Sequence, residues 1–179
     1  MAVSYCPRCR RSRRALDRAC AIGAYEGPLK AIIHALKYEG LRSLASPLAR
    51  IMRERGADIL AGADAVVPVP LHLSRRRERG FNQAADLAAR LGPPVVTALR
   101  RRTATAPQSG LPASQRHRNV RNAFALARPA RRLAGQTVVV VDDVCTTGAT
   151  LEACARVLKE GGCREVRALT AARAVRSQR

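Results

Sequence analysis

Aromatic residues and long apolar runs are both scarce in this sequence. Aromatic residues make up 3% of the 179 positions, and Trp is absent. Hydrophobic residues still reach 47%, so Val, Leu, Ile and Ala must form the core, as they do in helix-covered parallel sheets. No window approaches the roughly 18 apolar residues of a membrane helix. The N-terminus also lacks the apolar segment of a signal peptide, so we expect a cytoplasmic protein without a membrane span.

The cysteines are expected to be reduced, because the cytosol keeps thiols reduced. They are Cys6, Cys9, Cys20, Cys145, Cys154 and Cys163. We therefore predict no structural disulfide. The length suits one domain with a sizeable core and is too short for two ordinary domains.

Acidic residues are few, which leaves the chain strongly basic. The 33 Lys and Arg residues outnumber 13 Asp and Glu, a formal charge of +20, and only three of the basic residues are Lys. Such an excess favours anionic partners such as phosphates or nucleic acid. However, the arginines are scattered along the chain, as arginine-rich codon usage would produce, and single-strand binders usually stack bases on aromatic rings. DNA stays open as a partner.

Strand and helix patterns alternate along the chain. Apolar, β-branched runs predict strands, and apolar residues three and four apart predict helices. The predicted strands are 21–27, 65–70, 95–100, 137–143 and 165–173, and the apolar stripes of the predicted helices begin at Leu29, Leu41, Ala84 and Leu151, with Gly56, Gly92 and Gly161 as stops. This order indicates an α/β fold with a doubly wound, mostly parallel sheet flanked by helices. Ligands in such sheets bind beyond the carboxyl ends of the strands.

The stretch VVVVDDVCTTGAT, residues 138–150, places two carboxylates before a small-residue loop and a helix. The loop consists of Cys145, Thr146, Thr147, Gly148, Ala149 and Thr150. Its backbone N–H groups, its threonine hydroxyls and the helix N-terminus together suit a phosphate. Asp142 and Asp143 would repel a phosphate but can accept hydrogen bonds from sugar hydroxyls. The stretch therefore predicts a ribose 5-phosphate site, with an ordinary Asp-rich turn as the alternative.

This stretch resembles the phosphoribosyl-pyrophosphate (PRPP) motif of type I phosphoribosyltransferases. Beyond it, the chain resembles the ComF family of competence-associated, phosphoribosyltransferase-like proteins over nearly its whole length. The segments that carry the resemblance are AYEGPLKAIIHALKYEG, VVPVPLHLSRRRERGFNQAADLA, TAPQSGLPASQRHRNVRNAF and VVVVDDVCTTGAT. The resemblance implies a type I phosphoribosyltransferase-like domain over residues 21–179, with a small N-terminal hood, residues 21–56, and a flexible loop, residues 101–121.

The resemblance also implies an activity. The protein would transfer phosphoribosyl from PRPP to an acceptor that the sequence does not identify, releasing pyrophosphate, with Mg²⁺ bound through PRPP. Type I relatives are often dimers, so a homodimer is a further expectation. The competence association implies a different function, that of a non-catalytic accessory of DNA uptake that binds a nucleotide-like ligand, protein partners or DNA.

Residue roles follow from the same resemblance. Asp142 and Asp143 would hold the ribose, and the loop from Cys145 to Thr150 would bind the 5-phosphate, with Cys145 contributing backbone N–H rather than acting as a nucleophile. The arginines of PLHLSRRRERGFNQ, Arg75 and Arg79 among them, would contact pyrophosphate. A solvated basic turn is the alternative for that segment.

The long loop and the hood complete the implied site. Gln108 and Arg116 match the family pattern in the flexible loop, which would close over the reaction and exclude water. Arg116 would contact pyrophosphate on closure, and it joins the two aspartates as a candidate catalytic residue. A surface linker is the alternative for this loop. Tyr25, His34, Lys37 and Tyr38 lie in the hood, where type I enzymes often recognise the acceptor; a structural role is the alternative for His34.

The N-terminal cysteines raise the question of zinc. ComF proteins commonly begin with two CxxC pairs that bind zinc, and this chain has one pair, Cys6 and Cys9. Structural zinc needs four ligands, and Cys20 would supply a third at best. We therefore expect no zinc in this chain, with an upstream start codon or a genuine truncation as the explanation for the missing pair. Residues 1–20 would then be a basic, mobile remnant of the zinc module.

Overall fold

The computed structural model describes residues 15–102 and 123–174. Its strands are β1 (Arg18–Ala21), β2 (Ala65–Pro68), β3 (Leu99–Arg101), β4 (Phe124–Leu126), β5 (Thr137–Cys145) and β6 (Glu165–Arg173). Its helices are α1 (Gly27–Tyr38), α2 (Ala45–Arg55), α3 (Ala57–Leu60), α4 (Leu73–Arg79), α5 (Gln83–Ala88) and α6 (Ala149–Glu160), with 3₁₀ helices at Arg42–Leu44 and Arg128–Leu133. Within these ranges, no helix has the length and hydropathy that crossing a membrane requires.

A four-stranded parallel sheet in the order β1-β6-β5-β2 forms the centre. β5 is paired on both sides, since residues 138–141 lie in register with 65–68 of β2 and with 166–169 of β6. A strand that is paired at both edges and covered on both faces can be apolar throughout, which explains the unbroken run of valines. The predicted parallel α/β fold is confirmed.

Helices cover both faces of the sheet, as a doubly wound arrangement requires. Because side chains alternate along a strand, Val138 and Val140 pack into one core, which contains the buried face of α6. Val139 and Val141 pack into a second core with α1, α2 and α5. All four valines are fully buried. Each contributes roughly 1.5–3 kcal/mol by leaving water, so β5 stabilises both cores at once.

The apolar stripe predicted for the first helix is confirmed. Ile33 and Leu36 are fully buried, and Leu29 and Ile32 pack against the same core. The helix has Pro28 in its first turn, where a fixed φ and a missing N–H do no harm. This packing fixes α1 on the face of the sheet that Val139 and Val141 share.

The strand predicted at 21–27 is wrong. The strand lies earlier, at Arg18–Ala21, where it pairs with residues 167–170 of β6. The backbone N–H of Asp17 extends this contact by donating to the Val166 carbonyl at 2.9 Å. β1 contains no β-branched residue, so its propensity did not mark it as a strand. Residues 18–21 therefore pair with the central sheet on both sides of the predicted domain boundary at residue 20.

The strand predicted at 95–100 and the second predicted helix are also different in detail. Val95 forms only an isolated bridge with Val66, and Leu99–Arg101 pairs antiparallel with Phe124–Leu126 in a separate two-stranded ribbon. The helix predicted from Leu41 begins as a 3₁₀ helix and becomes α-helical at Ala45. Its predicted stop is confirmed, since α2 ends directly before Gly56.

Gly56 lies where the junction of α2 and α3 touches the sheet. A Cβ added there would lie 2.6 Å from Leu169 Cδ1 and 2.6 Å from the Met52 carbonyl oxygen, and Leu169 is itself fully buried. We expect Gly56→Ala to lower the free energy of unfolding by about 1–3 kcal/mol, because a packed core accepts added volume only with strain. Urea denaturation measures the loss.

Gly161→Ala is the matched control for this substitution. Its Cβ would come no closer than 3.0 Å to any atom, and that atom belongs to the partly exposed side chain of Leu126. The control should therefore lose less stability than Gly56→Ala, and equal losses in the two variants would contradict the prediction.

Candidate functional site

A cavity of about 340 Å³ opens at the carboxyl ends of β2 and β5, the edge at which parallel α/β sheets bind ligands. Its lining includes eight residues that the sequence predicts for the site. These are Arg75, Arg79, Asp142, Asp143, Cys145, Thr146, Gly148 and Thr150. The other lining residues are Tyr25, Lys37, Tyr38, Val69, Pro70, Leu71, Gln83, Arg101, Val144 and Leu151.

The loop after β5 brings the start of α6 to the cavity. Gly148 has a φ of +79°, a left-handed conformation that glycine adopts without strain. Thr146, Gly148 and Thr150 line the cavity. Thr147 and Ala149 do not belong to the lining, and the Thr147 hydroxyl accepts a hydrogen bond from the Ala149 N–H at 3.4 Å. The Thr147 hydroxyl thus has a partner inside the turn, and its predicted role as a donor to the ligand stays a prediction.

Asp142 and Asp143 leave β5 on opposite faces because they are neighbours in a strand. Asp143 follows the face of Val141, which α1 covers, and its Oδ2 lies 2.8 Å from the Lys37 Nζ of that helix. Both side chains are largely buried, 4% exposed for Asp143 and 15% for Lys37. An ammonium this close compensates the buried carboxylate. The ion pair also ties the last turn of α1 to the end of β5.

Asp142 lies on the face that α6 covers, and its Oδ1 accepts the Asp143 N–H at 2.9 Å. Its side chain keeps some exposure to the cavity, yet burial, followed by the charge of Asp143, raises its pKa to about 8, against an opposing effect of Lys37. At neutral pH the free protein therefore keeps a proton on Asp142.

Two of the four arginines in α4 face the cavity. Arg75 and Arg79 are four residues apart, so they share one face of the helix, and both line the cavity and are partly buried. Arg76 and Arg77 are exposed and stand outside the lining. Helical periodicity thus separates the predicted basic segment into a cavity face and a solvent face.

Arg101 is a cavity residue that the sequence did not single out. It is the middle of three consecutive arginines, and burial distinguishes it, because Arg100 and Arg102 are exposed whereas Arg101 is partly buried. Its Cζ lies 5.5 Å from the centre of the Phe124 ring. Burial and the charge of Arg75 lower the pKa of Arg101. Strand alternation at the end of β3 was the available signal.

The last turn of α1 forms a further wall, where Lys37 and Tyr38 line the cavity. Tyr25, which precedes α1, also belongs to the lining. Tyr38 is 62% exposed, and the Arg79 guanidinium lies 4.8 Å from the centre of its ring. This cation–π contact joins α1 to α4. His34 also touches the Tyr38 ring, but it is not part of the lining, in keeping with the structural alternative.

Several predicted residues fall outside the described part of the chain, among them Gln108, Arg116, Cys6 and Cys9. Within the described ranges, no group of three or more His, Cys, Asp and Glu side chains could hold a metal ion. The described cysteines, Cys20, Cys145, Cys154 and Cys163, are free thiols. Burial raises the pKa of the Cys145 thiol, which disfavours the reactive thiolate.

The sequence is similar to a known domain family and to several known proteins. The model of the phosphoribosyl transferase domain matches residues 48–179. Competence protein F of Haemophilus influenzae is 32% identical over 182 residues, which cover 96% of this chain and 80% of that protein. The DNA utilization protein YhgH of Escherichia coli K12 is 35% identical over 167 residues, which cover 88% of this chain and 72% of YhgH.

Two solved structures of larger proteins superpose in part on this chain. An allosteric regulatory enzyme of purine biosynthesis superposes with a TM-score of 0.46 and 22% identity over 72% of this chain and 26% of its own. A glutamine PRPP amidotransferase of B. subtilis, complexed with ADP and GMP, gives a TM-score of 0.45 and 22% identity over 70% of this chain and 26% of its own. Because the domain model spans most of the sequence and competence protein F aligns with nearly all of it, the chain belongs to the ComF family of phosphoribosyltransferase-domain proteins.

Proposed function

We propose that the protein binds PRPP in the cavity at the ends of β2 and β5 and transfers its phosphoribosyl group to an acceptor. The observation that carries this proposal is the convergence of Asp142, Asp143 and the loop 145–150 on one cavity. Such a cavity offers acceptors for hydroxyls beside donors for an anion. PRPP presents both groups within one molecule, and membership of the phosphoribosyl transferase domain family supports this choice of ligand.

Each part of PRPP has a complementary part of the cavity. The 5-phosphate would accept hydrogen bonds from the backbone of the loop 145–150 and from the hydroxyls of Thr146 and Thr150, at the N-terminus of the 12-residue helix α6. The ribose hydroxyls would donate to Asp142 and Asp143. Since the two carboxyls approach from opposite faces of β5, they hold the ring from two sides.

The pyrophosphate group would lie against the basic wall. Arg75, Arg79 and Arg101 bring three guanidinium groups to the lining, and guanidinium pairs well with phosphate oxygens. Gln108 and Arg116 stay predictions for the same group from the flexible loop. In this placement the anomeric carbon lies between the carboxyls and the arginines.

Mg²⁺ fits this site as an ion carried by PRPP. Burial raises the pKa of Asp142, Lys37 is already paired with Asp143, and among the described residues no group of three metal-ligating side chains is present. Oxygens of the pyrophosphate and the ribose would therefore hold the ion. When bound, it would neutralise charge on the leaving group.

The reaction is a displacement at the anomeric carbon. The lone pair of the acceptor forms the new bond to the anomeric carbon while the bond from that carbon to the pyrophosphate oxygen breaks. Pyrophosphate leaves with the electron pair of the broken bond, and a proton carried by the attacking atom passes to water. Positive charge develops on the ribose, next to Asp142 and Asp143, and negative charge develops on pyrophosphate, next to Arg75 and Arg101. Fixed charges placed where charge develops lower the barrier.

A non-catalytic role in DNA uptake is the second candidate. It is favoured by the names of two relatives, competence protein F and DNA utilization protein YhgH. In that role the same cavity would bind a nucleotide-like ligand without turnover, and the basic surface would contact DNA or a protein partner.

Turnover separates the two candidates. We expect PRPP with Mg²⁺ to bind the full chain in calorimetry and to raise its Tm, and one member of a panel of nitrogen nucleophiles to trigger pyrophosphate release. Binding without release from any acceptor would favour the accessory role. No binding of PRPP at millimolar concentration would refute the transferase.

The two faces of α4 give a matched pair of charge deletions. Arg75→Ala should weaken PRPP binding about tenfold or more, because a charge-assisted hydrogen bond contributes roughly 1.5–3 kcal/mol. Arg77→Ala removes the same charge from the exposed face of the same helix and should change the affinity by no more than about twofold. Titration calorimetry measures both, and equal losses would show that the effect is long-range charge rather than contact.

The proton on Asp142 predicts a pH dependence of stability in the free protein. In the unfolded chain this carboxyl ionises near its ordinary pKa of 3.8, whereas in the folded chain it ionises near 8. Between these values the folded state holds the extra proton, so the stability contributed by this group is lost as the pH rises from about 4 through 8.

We expect Tm to fall more steeply between pH 5.5 and 8.5 in the wild type than in Asp142→Asn, which does not titrate at this position. Asp58→Asn, on the exposed face of α3, should keep the steeper wild-type slope. Parallel slopes in the wild type and Asp142→Asn would contradict the prediction.

A further inference from the structure

Two threonines are buried in the sheet to the same degree, and they differ in their hydrogen bonds. Thr137, at the start of β5, and Thr170, near the end of β6, are each 1% exposed. The Thr137 hydroxyl accepts from Arg164 Nη2 at 3.0 Å and approaches Glu165 Oε2 at 3.5 Å. The Thr170 hydroxyl has no hydrogen-bond partner among the described residues.

Thr170 lies beside Asp142. The two residues are partners in the parallel register of β5 and β6, and side chains in register project from the same face of a sheet. Alternation places Thr170 on the face of Val166 and Ala168, the same core into which Val138 and Val140 pack. On its other side, Thr170 is in register with Ala21 of β1, whose side chain is apolar. Asp142 is therefore the polar neighbour within the sheet.

An unpaired buried hydroxyl is unfavourable for folding. A valine has nearly the same shape and carries no group that needs a partner, so it would suit this position at least as well in the free protein. The stability of the ligand-free protein thus does not explain why position 170 carries a hydroxyl. The neighbour of this hydroxyl is Asp142, the carboxyl that the proposed ligand would contact.

We infer that Thr170 is a positioning residue, whose hydroxyl donates a hydrogen bond to the Asp142 carboxylate when a ribose is bound. This inference rests on the proposed function. In the free protein Asp142 keeps its proton and has little need of a further donor. Ribose hydroxyls and a cation carried by the ligand favour the ionised carboxylate, which accepts several hydrogen bonds. Thr170 then holds the side chain in the orientation that meets the ribose.

Other groups act on the same carboxyl. Asp143 and, more weakly, Lys37 reach it from β5 and α1. Arg101 from β3 and the thiols of Cys145 and Cys154, from the loop and from α6, interact with it electrostatically. These groups are the same in the wild type and in Thr170→Val. A difference in PRPP affinity between the two proteins therefore reports the Thr170 hydroxyl alone.

The test uses Thr170→Val, Thr170→Ser and the control Thr137→Val in the full chain. We expect Thr170→Val to melt at the wild-type temperature or above it and to bind PRPP with Mg²⁺ roughly tenfold more weakly in calorimetry. The pH at which its binding is half developed should move upward, because the ionised carboxylate has lost a donor. Thr170→Ser should restore most of the affinity. Thr137→Val should show the opposite pattern, a lower Tm with unchanged PRPP affinity.

Two results would overturn the inference while leaving the proposed function intact. One is wild-type PRPP affinity and an unchanged pH profile in Thr170→Val. The other is a loss of Tm in Thr170→Val as large as that in Thr137→Val, which would make the hydroxyl structural. A wild-type protein that does not bind PRPP would instead refute the proposed function, and the inference with it.

Discussion

The rest of the molecule depends on one strand that is buried at both edges and on both faces. β5 pairs with β2 and β6, and its four valines fill two separate cores. Such a strand cannot slip by one residue without sending every valine to the wrong core. The positions of Asp142 and Asp143 are therefore set by the packing of the four valines directly before them. The packing that stabilises the core therefore also determines where the two carboxylates lie.

The same burial creates an electrostatic difficulty that the neighbouring elements resolve. Two adjacent carboxyls at the end of a buried strand cannot both be ionised without compensation. Strand alternation separates them, Lys37 reaches Asp143 from α1, and Asp142 keeps its proton. The hydroxyl-rich ligand that we propose would change this state, because it would supply the donors that ionised carboxylates require. The free protein thus offers fewer hydrogen-bond donors to its two carboxylates than the complex would. Such local instability is common at ligand sites.

The sequence was sufficient where the signal is local. The valine run, the acidic pair and the loop with Gly148 act within thirteen consecutive residues, so strand, turn and helix follow from propensity and turn chemistry. It was insufficient where distant pairing decides. β1 has no strand-forming residues and exists because β6 offers an edge. Arg100, Arg101 and Arg102 are identical residues, and strand alternation marks the middle one as inward-facing only once the pairing of β3 with β4 is known. The position of Thr170 beside Asp142 likewise follows from the register of β5 and β6, which the sequence alone does not reveal.

The two sides of the cavity have different structural origins, and this bears on how the acceptor is chosen. The side proposed for the ribose 5-phosphate part of PRPP is one continuous strand, loop and helix, β5 to α6. The wall beside Asp143 is assembled from α1 and α4 through side chains, Lys37 against Asp143 and Arg79 against Tyr38. α1 is anchored by Ile33 and by its neighbours in the same stripe, whereas Tyr38 is largely exposed. Tyr38 can therefore change without disturbing the core, whereas Leu36 and Lys37 of the same turn are held by the core and by Asp143. An acceptor seated beside Asp143 would meet Tyr38, which the core leaves free to vary, while the ribose 5-phosphate of the proposed donor would lie against a strand and a loop whose positions the core fixes.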